Sequence, residues 1–409
     1  MKPAGIASNL LANSAFRRLW LAQFSTVVFV YSLSLAGAVL IEKHTRSSTQ
    51  IGLVILASIL PAFLSSLISG MVVDRWGRIR SLIASHGVRM LVGIVFWLGT
   101  WWLPVNWAVK VIYGASVANA IFSQFALTAE LSLLPDLVDR PRLPSANALL
   151  QLGMLAGEGI GIVLLSPLLI KWAGPPATGA VGAGLCLLAL GLIFPLATDR
   201  LAPRQVQGRA SVWSDLRAGW QVLAQDRLLT WVAVQAVLAA TLLLVLLSLI
   251  PGLASRYLGM NVKDAPYLIL PGGLGFILGS WIVSRWSERL SRPAWIALGF
   301  VALGGSLGLL SLLTSPQFPL WIVLLPIAGI GLALSIIIIP ARTILQERPP
   351  APLRGRVIAA QLAVANAAAV FPLLAGGMLA DRLGIRPVMA LLSLFAVGTG
   401  AIGWHRMKG

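Results

Sequence analysis

The sequence predicts an all-α integral membrane protein with twelve transmembrane helices. Of its 409 residues, 58% are hydrophobic and only 11% are charged, whereas an ordinary soluble domain has about 25% charged residues. Apolar stretches long enough to cross a bilayer, which takes about 20 residues each, recur along the whole chain with short polar segments between them. A water-soluble fold could not bury so much apolar surface, so the sequence excludes one.

Apolar length and flanking charge define the twelve spans in order. In the first half they are 17–41, 51–73, 81–103, 107–132, 144–170 and 177–197. In the second half they are 227–254, 264–284, 293–314, 319–345, 357–380 and 388–404. We therefore expect an N-terminal six-helix bundle over 1–197, a cytoplasmic linker over 198–226 and a C-terminal six-helix bundle over 227–409. Elements of the two halves match in order, which predicts pseudo-symmetric bundles.

The predicted linker contains an amphipathic helix. Trp213, Leu216, Trp220 and Leu223 recur at helical spacing among charged residues, a pattern typical of helices that lie in a membrane interface. This helix is either a plain connector on the inner membrane face or a site for a partner.

The basic residues are distributed unevenly between alternate loops. The formal net charge is +18, which by itself would fit a nucleic-acid-binding protein. However, the loops on one side hold most of the basic residues, and the alternate loops hold only Lys43, Arg46, Lys110, Lys171, Arg256, Lys263, Arg382 and Arg386. This asymmetry follows the positive-inside rule. It predicts both termini in the cytoplasm, and it makes the charge an orientation signal rather than a nucleic-acid site.

The sequence has no constellation that would carry catalysis or bind a metal. Cys186 is the only cysteine and lies in an apolar segment, so there is no intrachain disulfide and no cysteine metal cluster. His44, His86 and His405 all lie near predicted span ends, and no pair has the spacing of a metal site or accompanies a nucleophile. A phosphate-binding loop is also absent from the sequence. We expect neither an enzyme nor a cofactor, and an ion gradient or facilitated diffusion rather than ATP as the driving force.

The loop between the second and third spans has a characteristic pattern over residues 70–82. It holds Gly70, Asp74, Arg75, Gly77 and Arg78. Glycines allow helices to approach and the loop to turn sharply, and a carboxylate at a helix end can cap a neighbouring helix N-terminus. The segment closely resembles the signature loop of the major facilitator superfamily, with a valine in place of the usual leucine at position 72.

The resemblance implies twelve helices in two bundles, alternating access, and a conformational latch in this loop. Asp74 would contact the start of the eleventh helix near Gly355 to Val357. Arg75 and Arg78 would pair with acids at the inner end of the fourth helix, Glu130 or Asp136. Such contacts would favour the outward-open state. The alternative is that the loop charges only mark topology.

Two further segments resemble particular branches of that superfamily. Residues 345–357 and 136–147 look like the branch of enterobactin exporters and macrolide efflux proteins. A lysophospholipid transporter branch shares a proline followed by Leu345-Gln346-Glu347-Arg348, here with Pro340. The resemblance spans most of the chain and does not separate these branches.

Glu158 is the leading candidate for a proton carrier. It lies about midway along the fifth span among glycines that favour helix packing, and related antiporters normally have a proline at this place. Ionisable groups inside a bilayer are costly and usually carry function. A buried carboxyl group can load and release a proton as water access alternates between the two sides. The alternative is a structural glutamate.

Polar side chains on the faces of several spans are candidates for the lining of a substrate cavity. In the fourth span they fall on one side at 100° per residue, and Arg89 could neutralise a buried acid or attract an anionic group. Each could instead hydrogen-bond between helices. These candidates are Gln23, Thr26, Ser34, Arg89, Ser116, Asn119, Ser123, Gln235 and Arg342.

We interpret the chain as a monomeric secondary active transporter in a bacterial cytoplasmic (inner) membrane. Its function would be proton-coupled export of an amphipathic or hydrophobic small molecule, such as a drug or siderophore, because the membrane core holds few fixed charges. A lysophospholipid flippase or facilitator is the alternative within transport. A membrane sensor or scaffold that keeps the fold is the alternative outside it. Substrate, coupling ion and direction do not follow from the sequence.

Overall fold

The computed structural model describes residues 10–139, 142–197, 212–286, 288–314, 318–350 and 353–407. Within these ranges the chain forms helices joined by short turns. The first half contains α1 (Ser14–Thr45), α2 (Ser48–Trp76), α3 (Arg78–Trp102), α4 (Val105–Leu137), α5 (Leu143–Gly159), α6 (Ser166–Ala173) and α7 (Ala177–Ile193). A π-helical segment, Ile160–Leu165, joins α5 to α6, so these two form one continuous span.

The second half begins with α8 (Val212–Gln225), which precedes the remaining spans. It continues with α9 (Arg227–Gly252), α10 (Ile269–Trp286), α11 (Arg292–Leu313), α12 (Leu320–Glu347), α13 (Arg354–Leu383) and α14 (Ile385–Met407). A π-helical segment, Leu253–Tyr257, extends α9, and a 3-10 helix, Val262–Leu268, precedes α10.

The all-α membrane fold predicted from the sequence is confirmed. Eleven helical segments of the described chain are long and apolar enough to cross a membrane. The 18-residue α10 stands at the predicted eighth span. The helices divide into two compact units, one comprising 1–44 and 54–207 and the other 45–53 and 208–409. The first turns of α2 thus belong to the second unit, although they come early in the chain.

Glycines hold α5 and its π-helical extension against α1 in the first unit. A side chain at Gly157 would meet Val27, and a Cβ at Gly161 would lie 2.7 Å from the Val28 carbonyl oxygen. Ser32 Oγ donates to the Gly161 carbonyl oxygen at 3.1 Å. Small residues that let backbones approach are the usual basis of helix packing in membranes. This contact fixes the side of α5 that faces α1.

The second unit packs in the same way around α10, α11 and α12. A Cβ at Gly275 of α10 would overlap the Ala328 carbonyl oxygen of α12, and Gly331 approaches the Gly272 backbone equally closely. A large buried cluster, which includes Phe300, joins α9, α11, α12 and α13. Close backbone contact between α10 and α12 leaves no room for side chains there.

The helix α8 occupies the end of the predicted linker and packs against α13. Leu223 is buried in the main cluster of the second unit, and Gly219 lies so close to the Arg356 carbonyl oxygen that a Cβ would overlap it. Trp220 is exposed. Residues 198–211 of the linker and the side chains of Trp213 and Leu216 lie outside the described residues.

Asp226 separates α8 from α9 and caps the latter. Its Oδ1 accepts hydrogen bonds from the backbone N–H groups of Leu228 and Leu229 at 2.9 and 3.2 Å, and Arg348 binds its Oδ2. Burial opposes ionisation here, but these hydrogen bonds outweigh it and hold the pKa of the Asp226 carboxyl below its ordinary value. The N-cap and the ion pair together tie the start of α9 to the end of α12.

Candidate functional site

A polar cavity lies inside the first unit, among α1, α2, α3, α4 and α5. Its volume is about 230 Å³. Seven of the sequence-predicted cavity residues line it, and Glu130 joins them. These lining residues are Gln23, Thr26, Ser34, Arg89, Ser116, Asn119, Ser123 and Glu130. The predicted cavity residues of the first, third and fourth spans therefore meet in one place.

Arg89 of α3 is the buried centre of this cavity. Its side chain is 2% exposed, its Nε donates to Asn119 Oδ1 at 3.1 Å, and its Nη2 donates to the Thr26 carbonyl oxygen at 2.7 Å. A buried charge needs hydrogen bonds and a counter-charge to offset its desolvation. The two helices α1 and α4 supply the hydrogen bonds, so Arg89 does not snorkel to the membrane surface.

Glu130 of α4 is the acidic side chain of this cavity. It is 3% exposed, interacts electrostatically with Arg89, and accepts a hydrogen bond from the Gln23 side chain. Gln23 Oε1 has no hydrogen-bond partner among the described residues. The resemblance gave Glu130 or Asp136 as partners for the arginines of the loop between α2 and α3, and the structure places Glu130 in the cavity.

Glu158 lies in α5, one residue before that helix ends and the π-helical segment follows, and bonds to Tyr31 of α1. The phenolic hydroxyl of Tyr31 donates to the Glu158 carboxylate, and Tyr31 also lines the polar cavity. π-helical segments occur frequently at functional sites. Tyr31 was not predicted from the sequence, although a tyrosine midway along a span is a signal, because its hydroxyl needs a partner there.

The hydroxyl side chains of the cavity mostly bond to their own helices. Ser116 Oγ donates to the Ile112 carbonyl oxygen at 2.9 Å, and Ser123 Oγ donates to the Asn119 carbonyl oxygen at 2.6 Å. Each hydroxyl oxygen keeps acceptor capacity toward the cavity. The cavity therefore offers acceptors from serines beside the donors of Arg89.

Two predicted cavity residues of the second unit lie elsewhere. The Gln235 side chain of α9 donates through Nε2 to the Thr399 carbonyl oxygen of α14 at 3.3 Å, and Gly403 lies against it. Arg342 of α12 is exposed. Gln235 therefore forms a hydrogen bond between two helices, which was the alternative to a place in the cavity lining.

His86, predicted near the end of a span, is fully buried within α3, one turn before Arg89. Neither ring nitrogen has a hydrogen-bond partner among the described residues. No group of three or more His, Cys, Asp or Glu side chains in the described ranges could hold a metal ion. The buried histidine is thus a polar neighbour of the cavity that its sequence position did not reveal.

The loop between α2 and α3 turns sharply at Gly77, which has φ +89°. Arg78, at the start of α3, forms an ion pair with Asp136 of α4. Asp136 is one of the two acidic residues that the resemblance implied as partners. Asp74 and Arg75 are exposed, whereas Gly70 is partly buried. The positive φ explains the glycine at position 77, because other residues rarely adopt it.

The pattern of this loop recurs at the end of α13, a repetition that was not predicted from the sequence. Residues 70–77 read GMVVDRWG and residues 377–384 read GMLADRLG, and Gly384 has φ +91°. Asp381 takes the place of Asp74 and caps the start of α2 within the second unit. Its carboxylate accepts from Ser48 N at 2.7 Å, from Thr49 N at 3.0 Å and from Thr49 Oγ1 at 2.7 Å.

Replacing Asp381 by alanine is expected to lower the stability of the protein by about 1–2 kcal/mol, because the N–H groups of Ser48 and Thr49 lose their acceptor and Arg256 loses its ion pair. Asp381→Asn keeps an acceptor oxygen and should recover part of the loss. Thermal unfolding of the purified protein in detergent measures the difference. Glu288→Gln, at an exposed position, serves as the control, and an equal effect of both changes would contradict the capping role.

The helices and the polar cavity, with its buried arginine and glutamate, together define a polytopic membrane protein with a polar site inside its first unit. The model of the Major Facilitator Superfamily matches residues 19–372. The chain therefore belongs to the major facilitator superfamily, and it is a transporter rather than an enzyme. The family membership that the loop at 70–82 indicated is confirmed.

Curated relatives and solved structures agree with this family. The chain is 27% identical over 355 residues to the enterobactin exporter EntS of Shigella boydii serotype 18, covering 86% of this chain and 81% of the relative. It is 26% identical over 353 residues to EntS of Escherichia coli O1:K1 / APEC, with the same coverage. The fold matches a mutant of the nucleoside transporter NupG with a TM-score of 0.75 at 12% identity, over 96% of this chain and 100% of that one.

A second solved structure shows the same fold. A bacterial homolog of the human lysosomal transporter Spinster matches with a TM-score of 0.70 at 14% identity, over 96% of each chain. At such low identities these structures show the fold alone.

Proposed function

We propose that the protein exports an amphipathic or hydrophobic small molecule across a bacterial inner membrane in exchange for protons, by alternating access. The observation that carries this proposal is the buried network of Arg89, Glu130 and Gln23 in a polar cavity of an otherwise apolar unit. Ionisable groups inside a membrane are costly and mark substrate or proton pathways. The likeness to enterobactin exporters supports the outward direction.

In this mechanism Arg89 binds a polar or anionic group of the cargo. Its guanidinium is held by Asn119 and the Thr26 carbonyl, and it presents a planar fork of donors that suits carboxylate and similar groups. Glu130 balances its charge while the cavity is empty. Cargo that takes the place of Glu130 beside Arg89 would bind one protonation state of the site more tightly than the other. Cargo binding and proton binding are then coupled.

Glu158 is the proposed proton carrier. Its hydrogen bond to Tyr31 connects Glu158 to the cavity, because Tyr31 is one of the lining residues. A proton on Glu158 would be taken up from one side and released to the other as water access alternates. Water entry is required for either step, since an isolated charge in hydrocarbon is too costly to form.

The loop at 70–77 is proposed as a latch of the conformational cycle. Arg78 and Asp136 anchor it within the first unit, and we propose that Asp74 contacts the start of α13 in the outward-open state. We also propose that both termini lie in the cytoplasm, from the distribution of basic residues. The protein would work as a monomer, with the two six-helix bundles 1–197 and 227–409 as its moving parts.

Proton release from the purified protein tests the coupling. Enterobactin and tetraphenylphosphonium are added to the protein in weakly buffered detergent, and the pH change is recorded beside binding measured by calorimetry. We expect release from the wild type and its loss in Glu158→Gln with binding retained. Glu130→Gln should strengthen binding, because the cargo no longer has to displace the Glu130 carboxylate from Arg89. Glu288→Gln is the matched exposed control.

Other outcomes reject specific parts of the proposal. Unchanged release in Glu158→Gln, together with loss in Glu130→Gln at full binding, would move the proton site to Glu130. Binding without release in the wild type would reject antiport and favour uniport or lipid flipping. Reorientation of lysophospholipid in liposomes without transport of either soluble probe would establish the flippase instead.

A further inference from the structure

A second cavity lies in the second unit and has the opposite chemistry. Its volume is about 270 Å³, and α9, α10 and α12 form most of it, with Leu310 of α11 and Met389 of α14 closing its sides. Every lining residue is aliphatic, aromatic, methionine or glycine. The side chains from α9 and α12 include Leu246, Leu249, Ile250, Ile327, Ile330, Leu334 and Ile338. Among the described residues, the cavity offers no polar side chain to a ligand.

The two cavities take equivalent places in the two halves of the chain. The polar cavity is formed mainly by the first and fourth helices of its half, α1 and α4, and the second helix, α2, adds Ser58 and Ala62. The apolar cavity is formed mainly by the first, second and fourth spans of the second half, α9, α10 and α12. Transporters built from repeats use corresponding helices of the repeats for substrate. The position therefore indicates a substrate role rather than a packing defect.

The chemistry of the wall decides what such a cavity accepts. A water molecule needs two to four polar partners, and an apolar cavity that lacks them stays dry and binds hydrocarbon. An empty dry space costs stability because its walls lose contacts. A hydrocarbon group that enters the cavity restores the contacts of its walls. It also gains free energy because its own apolar surface is removed from water.

We propose that the second unit holds a hydrocarbon subsite for the cargo, formed by α9, α10 and α12, which takes an alkyl or aryl part of the transported molecule. This inference rests on the proposed transport function and deepens it by naming the helices that would bind the hydrocarbon part of the cargo. Affinity should rise with hydrocarbon length until the cavity is filled.

Gly273 allows the subsite to be filled without disturbing the helices. It lines the cavity, and a Cβ added there would meet nothing within 4 Å, so Gly273→Leu places a side chain in the open space. Gly305 of α11 is equally open and exposed, and it does not line this cavity. Gly305→Leu is therefore a matched control for the cost of a bulky residue on an exposed helix face.

Photolabelling of the full-length protein in phosphatidylcholine nanodiscs tests the subsite. The probe is decanoic acid with a diazirine at its terminal carbon, and labelled peptides are mapped by mass spectrometry. We expect labels on α9, α10 and α12 that unlabelled decanoate displaces. Gly273→Leu should reduce them about tenfold, the effect of about 1.4 kcal/mol, while Gly305→Leu leaves them unchanged. Equal labelling in both variants, or labels only on lipid-facing side chains, would overturn the inference.

A second probe distinguishes cargo from membrane lipid. Phosphatidylcholine with a diazirine in one acyl chain is incorporated into the same discs. Labelling of the cavity by this lipid that excess decanoate does not displace would show a structural lipid and reject the subsite. Efflux from proteoliposomes separates the two proposals: displaceable cavity labelling without any flux contradicts only the transport function. Flux that is independent of alkyl length and unaffected by Gly273→Leu contradicts only the subsite.

Discussion

Arg89→Met is expected to abolish transport, with a rate at least about a hundredfold below that of the wild type. The substitution keeps a long apolar side chain but removes the donors to Asn119 and to the Thr26 carbonyl. It also leaves Glu130 buried without its cation. A hydrogen bond to a charged group contributes about 1.5–3 kcal/mol, and about 1.4 kcal/mol in a barrier is a tenfold change in rate.

Two measurements check this result. Substrate efflux from proteoliposomes reports transport, and thermal unfolding reports stability. Arg342→Met, at an exposed position of α12, is the control that loses the same charge outside the cavity. The double variant Arg89→Met with Glu130→Gln should regain stability but no transport, because it removes the unpaired carboxylate while the binding group stays absent. Wild-type flux in the single variant would exclude Arg89 from the substrate site.

Gly161→Leu is expected to have the second largest effect, with loss of most folded protein. Gly161 lies in the π-helical segment between α5 and α6, and an added Cβ would stand 2.7 Å from the Val28 carbonyl oxygen and 3.2 Å from Tyr31 Cβ. Helix α5 would have to move away from α1, which breaks the bond from Ser32 to the Gly161 carbonyl and displaces Tyr31 from Glu158. Overpacking of a well-packed interior costs about 1–3 kcal/mol or more.

Gly159 provides a close control for this experiment. It lies two residues earlier on the same helix, and a Cβ there meets nothing within 4 Å. Gly159→Leu should therefore express and fold nearly as the wild type does. Size-exclusion profiles and unfolding temperatures of both variants measure the difference. If Gly159→Leu and Gly161→Leu behaved alike, the close approach of α1 would not be what requires glycine.

The fold was largely predictable because a bilayer permits few solutions. Backbone groups in hydrocarbon must be satisfied within the segment, so each long apolar stretch became a helix, as Ser14–Thr45 and Leu320–Glu347 illustrate. The π-helical segment after Glu158 was not predictable from apolar length. A π-helix differs from an α-helix in its hydrogen-bond pattern. The apolar composition of the span is the same for either, so it cannot predict the segment.

Candidate residues of the first unit were predictable where helical periodicity placed several polar groups on one face, as in α4. Partners were less predictable. The resemblance left Glu130 and Asp136 as alternative partners of the loop arginines, and the structure pairs Arg78 with Asp136. Gln235 was predicted either to line a cavity or to bond between helices, and its side chain donates to the Thr399 carbonyl oxygen. One polar residue in a span satisfies its bonds equally well toward a cavity or toward another helix, and sequence cannot distinguish these directions.

The sequence by itself determined the membrane environment, the helices and the family, because hydropathy, basic asymmetry and the pattern at 70–77 are properties of neighbouring residues. Only the tertiary structure decided that Arg89, Asn119 and Glu130 share a polar cavity in one unit and that the corresponding helices of the other enclose an apolar one. Residues far apart in the chain meet through the close approach of helices at glycines such as Gly161 and Gly275. Backbone contact at these points determines which face of each helix turns toward a cavity. The hydropathy of the chain does not predict these contacts.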